Sequence, residues 1–540
     1  MASDARAKRR EFLKMAATGA ASAASVGVLS HLSFAAETGA NADLQAPSFS
    51  VRRFGAKGDG VTIDTPAINN AIAAAAEFGG GTVMFPAGTY ASYSIHLKSN
   101  VSLYIDPGAT IVAASTPLEG TTTGGYDAAE TQGPWEPYQD YGHNHWHNSL
   151  IWGEDLHDVA IFGPGLIWGK GLSRGHETDT DLPKSDRPGV GNKAIALKNC
   201  RNIILRDFSM LAAGWFAILA TGVDNLTIDN LKIDTNRDGM DIDCCRNVRV
   251  SNCTVNSPWD DAICPKSSFA LGYARVTENV TVSNCYVTGG YQLGTLLDGT
   301  FKRLGPEFKQ PIGRIKCGTE SNGGFRNITI SNCVFESCRG FALETVDGAV
   351  CEDITFAGIT MRDIRNSPLF LRLGTRMRGP KGIPVGSLKR VLINNVVSSG
   401  ALPELCSIVS GIPGHRIEDI KISDVYLHQL GGGTTAMAEL NPLEKESDYP
   451  EPCMFGGLPA TGLFLRHVKN IEMSNVEIAI EHPDARPAFW LHDVEGADFF
   501  RVKTPRGSRA FAMRNVHEFR VFGSRNIKDT AVEQIANQVL

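Results

Sequence analysis

Three aspartates in the stretch Asn236–Lys266 carry the chemistry this sequence offers most directly. Asp260 and Asp261 stand side by side after Trp259, and they follow Asp238-Gly239 by 22 and 23 residues. That interval is close to the one at which an Asn-rich motif recurs on either side of them. In a coiled sheet, side chains one full coil apart stack at the strand-to-strand distance, ~4.8 Å. Carboxylates on neighbouring coils, offset sideways, would then face each other across a sugar. Hydrolysis of a glycosidic bond needs a carboxyl that protonates the leaving oxygen and, for inversion, a carboxylate that activates water on the opposite face. Clustered acids supply both, because repulsion and burial keep one protonated while the others stay ionised. Aspartates in the turns of a coiled sheet also serve structure alone, and spacing by itself leaves the two readings open.

The elements that must position these residues are repeats. Asn202-Ile-Ile-Leu-Arg-Asp, Asn225-Leu-Thr-Ile-Asp-Asn, Asn247-Val-Arg-Val-Ser-Asn-Cys, Asn279-Val-Thr-Val-Ser-Asn-Cys and Asn327-Ile-Thr-Ile-Ser-Asn-Cys are one motif, with later copies from Asp353, Asp419 and Asn470. Alternating β-branched residues, a turn Asn or Asp and a period near 22 predict an all-β chain: a single-stranded right-handed parallel β-helix. The leucine framework and helical half of a leucine-rich repeat are absent. Stacked Asn side chains are assigned to structure, as is the Ser-Asn-Cys column of Cys253, Cys285 and Cys333, since a free thiol behaves as a small buried hydrophobe. Cys244-Cys245 and the pair Cys333 and Cys338 are the remaining disulfide candidates. Ahead of the repeats, Asp64-Thr-Pro begins a helix whose Ala67, Ile68, Ala71, Ile72 and Ala75 share one face, and Gly79-Gly80-Gly81 ends it. Such a helix would cap the first open coil.

The 540 residues, 42% hydrophobic and 20% charged, describe an ordinary globular protein, and the net charge of −6 excludes a general polyanion binder such as a nucleic-acid protein. Any basic partner for an acidic ligand must therefore be local. Residues 1–35 read as an export signal: Arg9-Arg10 with Phe12-Leu13 resembles the twin-arginine type, and an Ala-rich run ends near Ser33-Phe34-Ala35. This predicts an exported, periplasmic or secreted protein, with a flexible linker at 36–47 and one β-helix domain over 48–540. No segment reads as a membrane span of the mature chain.

Two insertions interrupt the repeats. Residues 117–148 carry Trp135, Tyr138, Tyr141, His143, His145, Trp146 and His147. They read either as an aromatic wall for sugar rings or as a packed loop. A metal site on the alternating histidines lacks an evident acidic or Cys partner. The second insertion, 292–313, is basic and Gly-rich.

Asn236-Arg-Asp-Gly-Met-Asp241 and Asp260-Asp-Ala-Ile-Cys-Pro-Lys-Ser267, with Phe54-Gly-Ala-Lys-Gly-Asp-Gly60 at the start, resemble glycoside hydrolase family 28, the polygalacturonases and rhamnogalacturonan hydrolases. Their motifs run Asn-Thr-Asp-Gly-x-Asp and Asp-Asp-x-Ile-x-x-Lys-Ser. The resemblance implies that Asp260 is the general acid, that Asp238 and Asp261 hold and deprotonate the water, and that Asn236 and Asp241 are supporting polar groups. Departures accompany it. Arg237 replaces the Thr, and Gly289-Gly290-Tyr291 stands where the family has Gly-His-Gly. Ala342-Leu343-Glu344 occupies the place of Arg-Ile-Lys, whose letters occur one coil earlier as Arg314-Ile-Lys316. Lys266, Arg314 and Lys316 are the groove candidates for a uronate carboxylate; Glu344 is a new polar contact or an additional acid, and Arg372, Arg376 and Arg378 are further positive charges with a surface loop as the alternative.

The resemblance thus implies an inverting hydrolase of α-linkages to galacturonic acid in pectic chains, exo-acting because both insertions narrow the groove, with no cofactor and no metal. The alternatives are a polysaccharide lyase with calcium on the aspartates and a non-catalytic carbohydrate-binding β-helix.

Overall fold

The computed structural model describes residues 49–116, 125–131, 133–174 and 184–540. The export signal, the linker and the first part of the aromatic insertion lie outside the described residues.

The repeats wind as a right-handed parallel β-helix. Its turn asparagines explain the winding. Asn202, Asn225, Asn247, Asn279 and Asn327 all hold φ between 54° and 58°, a left-handed conformation that Asn tolerates better than most residues. Asn202 donates to Asp158 at 2.9 Å, and each later side-chain amide donates to the Asn oxygen one coil earlier: Asn225 to Asn202 at 2.9 Å, Asn247 to Asn225 at 3.3 Å, Asn279 to Asn247 at 3.0 Å and Asn327 to Asn279 at 2.8 Å. The strands after each Asn pair in register, with Val248 against Val280 and Val280 against Ile328. Their β-branched side chains alternate into the core.

A second parallel ladder carries the functional residues. In order it contains β1 (Ile95–His96), β2 (Ile151–Glu154), β3 (Lys193–Lys198), β4 (Phe216–Thr221), β5 (Asp238–Asp243) and β6 (Ile263–Lys266). An isolated bridge from Ile263 to Ile315 continues it to β7 (Lys316–Cys317), which pairs with β8 (Phe341–Thr345), then β9 (Leu369–Leu373) and β10 (Ser407–Ser410). Every residue of β4, β5, β6 and β8 is buried. This face is therefore covered on both sides, unlike the Asn-ladder strands.

The N-terminal helix, α1 (Thr65–Glu77), buries Ile68, Ala71, Ile72 and Ala75 and covers the first coil. Ala67 is only partly buried, and the Asp64 carboxylate does not cap the helix: it accepts from the amides of Lys57 (2.7 Å) and Gly58 (2.9 Å). At the other end Phe511–Phe522 pairs antiparallel with Thr530–Val539, closing the last coil with a hairpin. All twelve cysteines are free thiols, so neither disulfide candidate pair is bonded. Among the described residues no helix is long and apolar enough to cross a membrane.

Candidate active site

β5 and β6 deliver the three aspartates to one place. Asp238 opens β5, and the pair Asp260–Asp261 precedes β6 on the next coil. The backbones meet closely there: Gly239 N donates to Asp261 O at 2.9 Å and Met240 N to Ala262 O at 3.0 Å. A Cβ at Gly239 would lie 2.3 Å from the Ala262 carbonyl, so this position has no room for a side chain. One carboxylate oxygen from each of Asp238, Asp260 and Asp261 lies within 4.8 Å of the others. The predicted convergence is present.

The three carboxylates sit in different electrostatic surroundings. Burial would raise the Asp261 carboxyl, but the charges of Lys316 and Arg314 outweigh it and hold the group well below the usual range. Lys316 Nζ is 2.7 Å from Asp261 Oδ2 and Arg314 Nε 2.9 Å from Oδ1. Asp238 is pushed the other way, well above the usual carboxylate range, by burial and then by repulsion from Asp260 and Asp241. Asp238 therefore favours its protonated form more than Asp261 does. Asp260, expected as the proton donor, is the most exposed of the three. Its Oδ1 accepts from the amide of Asp261 at 3.0 Å and its Oδ2 from Arg237 Nη2 at 2.9 Å. A cation cluster on the acids is a poor fit, because Lys316, Arg314 and Arg237 already neutralise them.

The basic groove candidates form a buried network instead of an open lining. Arg314 also donates to Glu451 (Nη1 to Oε2, 3.3 Å), which pairs in turn with Arg339 at 2.9 Å. Lys266 Nζ lies 3.1 Å from Glu320 and 3.8 Å from Asp241. Side-chain exposure is 2% for Arg314, 4% for Lys316 and 6% for Lys266. Both the solvated-strand-end alternative for Arg314-Ile-Lys316 and its role as a free clamp are thus corrected: register brings β7 beside β6, where these cations neutralise Asp261. Asp241 is fully buried and meets His143 Nε2 at 3.1 Å. Asn236 is buried, and its amide oxygen is placed to accept from Arg174 Nη1 at 3.2 Å.

The aromatic insertion is a packed loop more than a sugar wall. Trp146 is 1% exposed, donates to Thr221 Oγ1 at 3.0 Å, and lies under Lys198. Tyr141 stacks on His145, and His147 on Trp152. His147, Glu130 and Glu154 do come within 4.8 Å of one another, giving the acidic partners not evident in the sequence. However, Lys198 Nζ is 2.8 Å from Glu154 and Glu130 accepts from the Trp146 amide at 3.0 Å, so these groups already have partners. In the basic insertion, Arg303 pairs with Glu336 at 2.7 Å, while Ile312 N and Gly313 N bind the carbonyls of Pro258 and Asp260, each at 2.9 Å. That loop braces the aspartate pair.

Sequence reasoning missed a third insertion, residues 432–462, between the strands Ile417–Gly431 and Leu463–His482. Its signal was the 51-residue gap between the paired turn residues Asp419 and Asn470. It brings Glu451 to Arg314, and it brings Tyr449, 49% exposed, over Lys316 and Arg376. Arg372 and Arg376 are not surface charges. Arg372 is buried and grips the carbonyls of Glu444 (2.9 Å) and Lys445 (3.0 Å), while Arg376 Nε binds Asp347 at 3.0 Å. Arg378 is the exposed one of the three. Glu344 is fully buried on β8, accepts from Thr319 Oγ1 at 3.1 Å, and is raised to about 7 by burial against the opposing pull of Lys316 and Arg314.

Comparison with known proteins now bears on this arrangement. A family model described as "Rhamnogalacturonase A/epimerase, pectate lyase-like" matches residues 48–148, and one described as "Right handed beta helix region" matches 185–304. A relative from Vitis vinifera named "Probable polygalacturonase" is 24% identical over 412 residues, covering 71% of this chain and 75% of its own. Among solved structures, the family 28 exopolygalacturonase of Yersinia enterocolitica superposes with a TM-score of 0.62 at 18% identity, over 83% of this chain and 78% of its own, a likeness of fold. The surface adhesin PfbA of Streptococcus pneumoniae superposes with a TM-score of 0.50 at 17% identity, over 86% of this chain and all of its own.

Proposed function

We propose that the chain is a divergent member of glycoside hydrolase family 28 that hydrolyses α-glycosidic bonds to galacturonic acid in pectic oligosaccharides, with inversion and from a chain end. The single observation that carries this reading is the meeting of Asp238, Asp260 and Asp261 in unlike surroundings, Asp238 buried beside the other acids and Asp261 gripped by Lys316 and Arg314. That combination supplies an acid and a base at one bond. Asp261 is the fixed anion that orients water, and the proton held by Asp238 is available to the more exposed Asp260, which faces the leaving oxygen. Burial of the surrounding cations fixes these charges before substrate arrives.

The acids stand closer than the ~6.5–9.5 Å at which an inverting pair ordinarily admits water. A third carboxylate makes inversion workable here, because water is held by two groups while the third acts on the leaving oxygen. Two insertions support exo action: 292–313 binds the Asp260 carbonyl, and 432–462 reaches Arg314 and Lys316 beside Asp261. An export signal at the N-terminus would deliver the enzyme to polysaccharide outside the cytoplasm.

Products from a panel of pectic oligosaccharides, read by proton NMR, test the proposal. Release of single galacturonate residues whose first-formed anomer is β supports it. An α anomer means retention, and internal fragments mean endo action. An adhesin shares this fold, and the second reading is a non-catalytic β-helix that binds pectic fragments. That reading predicts binding with no new reducing ends.

A further inference from the structure

We propose that Arg237 receives the carboxylate of the sugar on the leaving side of the cleaved bond, and that its transfer from Asp260 to that carboxylate is what makes Asp260 free to donate a proton. This rests on the hydrolase reading above and adds a substrate-reading residue to it.

Position and exposure single Arg237 out. Its neighbours in the acid network are 2–6% exposed and held by protein carboxylates, whereas the Arg237 side chain is 26% exposed. It therefore meets both a catalytic carboxylate and solvent. Its guanidinium carbon lies 5.0 Å from the centre of the Trp215 ring, and Nη1 donates to the carbonyl of Arg174 at 3.2 Å. These contacts fix the plane of the group, and among the described residues Nη2 donates to Asp260. An incoming uronate carboxylate offers Nη2 the same charge-assisted bond that Asp260 offers, so the exchange conserves the ion pair. A methyl ester or a neutral sugar offers no such bond.

The protons then balance over a cycle. When Arg237 turns to the substrate, the O–H bond on Asp238 breaks and one forms on Asp260, whose carboxylate is within 4.8 Å. Asp260 gives that proton to the glycosidic oxygen as the C–O bond breaks. Water, held by Asp238 and Asp261, adds its oxygen to the anomeric carbon and its proton returns to Asp238. Departure of the product restores the pair of Arg237 with Asp260. Arg237 is thus a specificity-determining residue that acts on turnover as well as on affinity.

The test compares trigalacturonate with its methyl ester on the wild type, Arg237→Gln and Arg237→Lys, after circular dichroism has confirmed folding of each. The wild type should favour the acid in kcat/KM by about ten- to hundredfold, the range expected for a hydrogen bond to a charged group. Arg237→Gln should lose that preference, by raising KM for the acid and by raising kcat for the ester, on which Asp260 is no longer held, and Arg237→Lys should recover part of it. Retention of the full preference in folded Arg237→Gln overturns the proposal. So does equal loss on both substrates, which marks a merely structural role. No hydrolysis of either substrate by the wild type, with no binding of trigalacturonate to Asp260→Asn by calorimetry, is instead failure of the hydrolase reading.

Discussion

Lys316 Nζ lies 2.7 Å from Asp261 Oδ2, with both side chains buried, while the Asp260–Arg237 pair beside them is a quarter exposed. The adjacent aspartates therefore differ in what they do for the fold. Removing one partner from a buried pair leaves an uncompensated charge and costs ~3–5 kcal/mol. An exposed pair contributes at most about 1 kcal/mol. Asp261→Asn should lose both activity and several kcal/mol in urea unfolding. Asp260→Asn should lose turnover while its unfolding midpoint stays near the wild type, with substrate binding retained. Equal destabilisation by the two substitutions would show that the buried cations do not depend on Asp261.

Glu344 gives a pH dependence of stability with a definite sign. Its carboxyl is raised to about 7 in the fold, against 4.5 for the free group. Between those values the folded protein holds a proton that the unfolded chain has released, so this group's contribution to stability falls as pH rises from 4.5 to 7. Below that window it adds no penalty, and above it the penalty is constant, on the order of 3 kcal/mol. Glu344→Gln should therefore match the wild type near pH 4.5 and become the more stable protein by pH 7.5. Denaturant titrations at the two pH values check this; a difference independent of pH would contradict it.

Thiol reactivity should separate one cysteine from the rest. Cys453 is exposed on the 432–462 insertion, and the other eleven are buried. Burial lifts several of them well above the usual thiol range, to about 11 for Cys200 and about 12 for Cys406, which suppresses the reactive thiolate. A disulfide-exchange reagent at pH 8 should label one thiol rapidly in the native protein and twelve after denaturation. Cys453→Ser should abolish the fast phase.

How much of this was legible beforehand follows from which interactions are periodic. The turn Asn residues recur because each donates to the Asn one coil earlier, so the coil and the register of Asp238 against Asp260–Asp261 could be read from spacing. Arg314 and Lys316 were found as residues, but their role was not. Whether a cation one coil away is open to solvent depends on what covers it, and the cover here is Glu451, 137 residues later. His143 was noticed as one of a run of histidines, yet its pairing with Asp241 spans 98 residues through a loop of no repeat pattern. Local pattern encodes the solenoid, whereas the burial of the cations beside its acids depends on insertions that pattern does not index.

The insertion's own anchorage yields the last prediction. Arg372 and Arg466 each place the guanidinium carbon 5.3 Å from the centre of the Phe455 ring. Arg466 donates to the carbonyls of Pro442 (2.7 Å) and Leu443 (3.0 Å), and Arg372 to those of Glu444 and Lys445. Two arginines on either side of the Ser410 coil thus clamp four consecutive carbonyls of a segment without regular structure. Burial, and then repulsion from Arg466, lower Arg372 to about 10, so it stays charged at neutral pH. Arg372→Met keeps the stem's packing but leaves those carbonyls without their donor. Hydrogen exchange should then quicken across 442–455 while the Asn-ladder strands keep their protection, and labelling of Cys453 should accelerate. Because Glu451 and Tyr449 ride on this segment, activity should fall through KM and kcat together, with global stability reduced by about 3 kcal/mol or less. Unchanged exchange across 442–455 would show that contacts other than the two arginines hold the insertion against the acids.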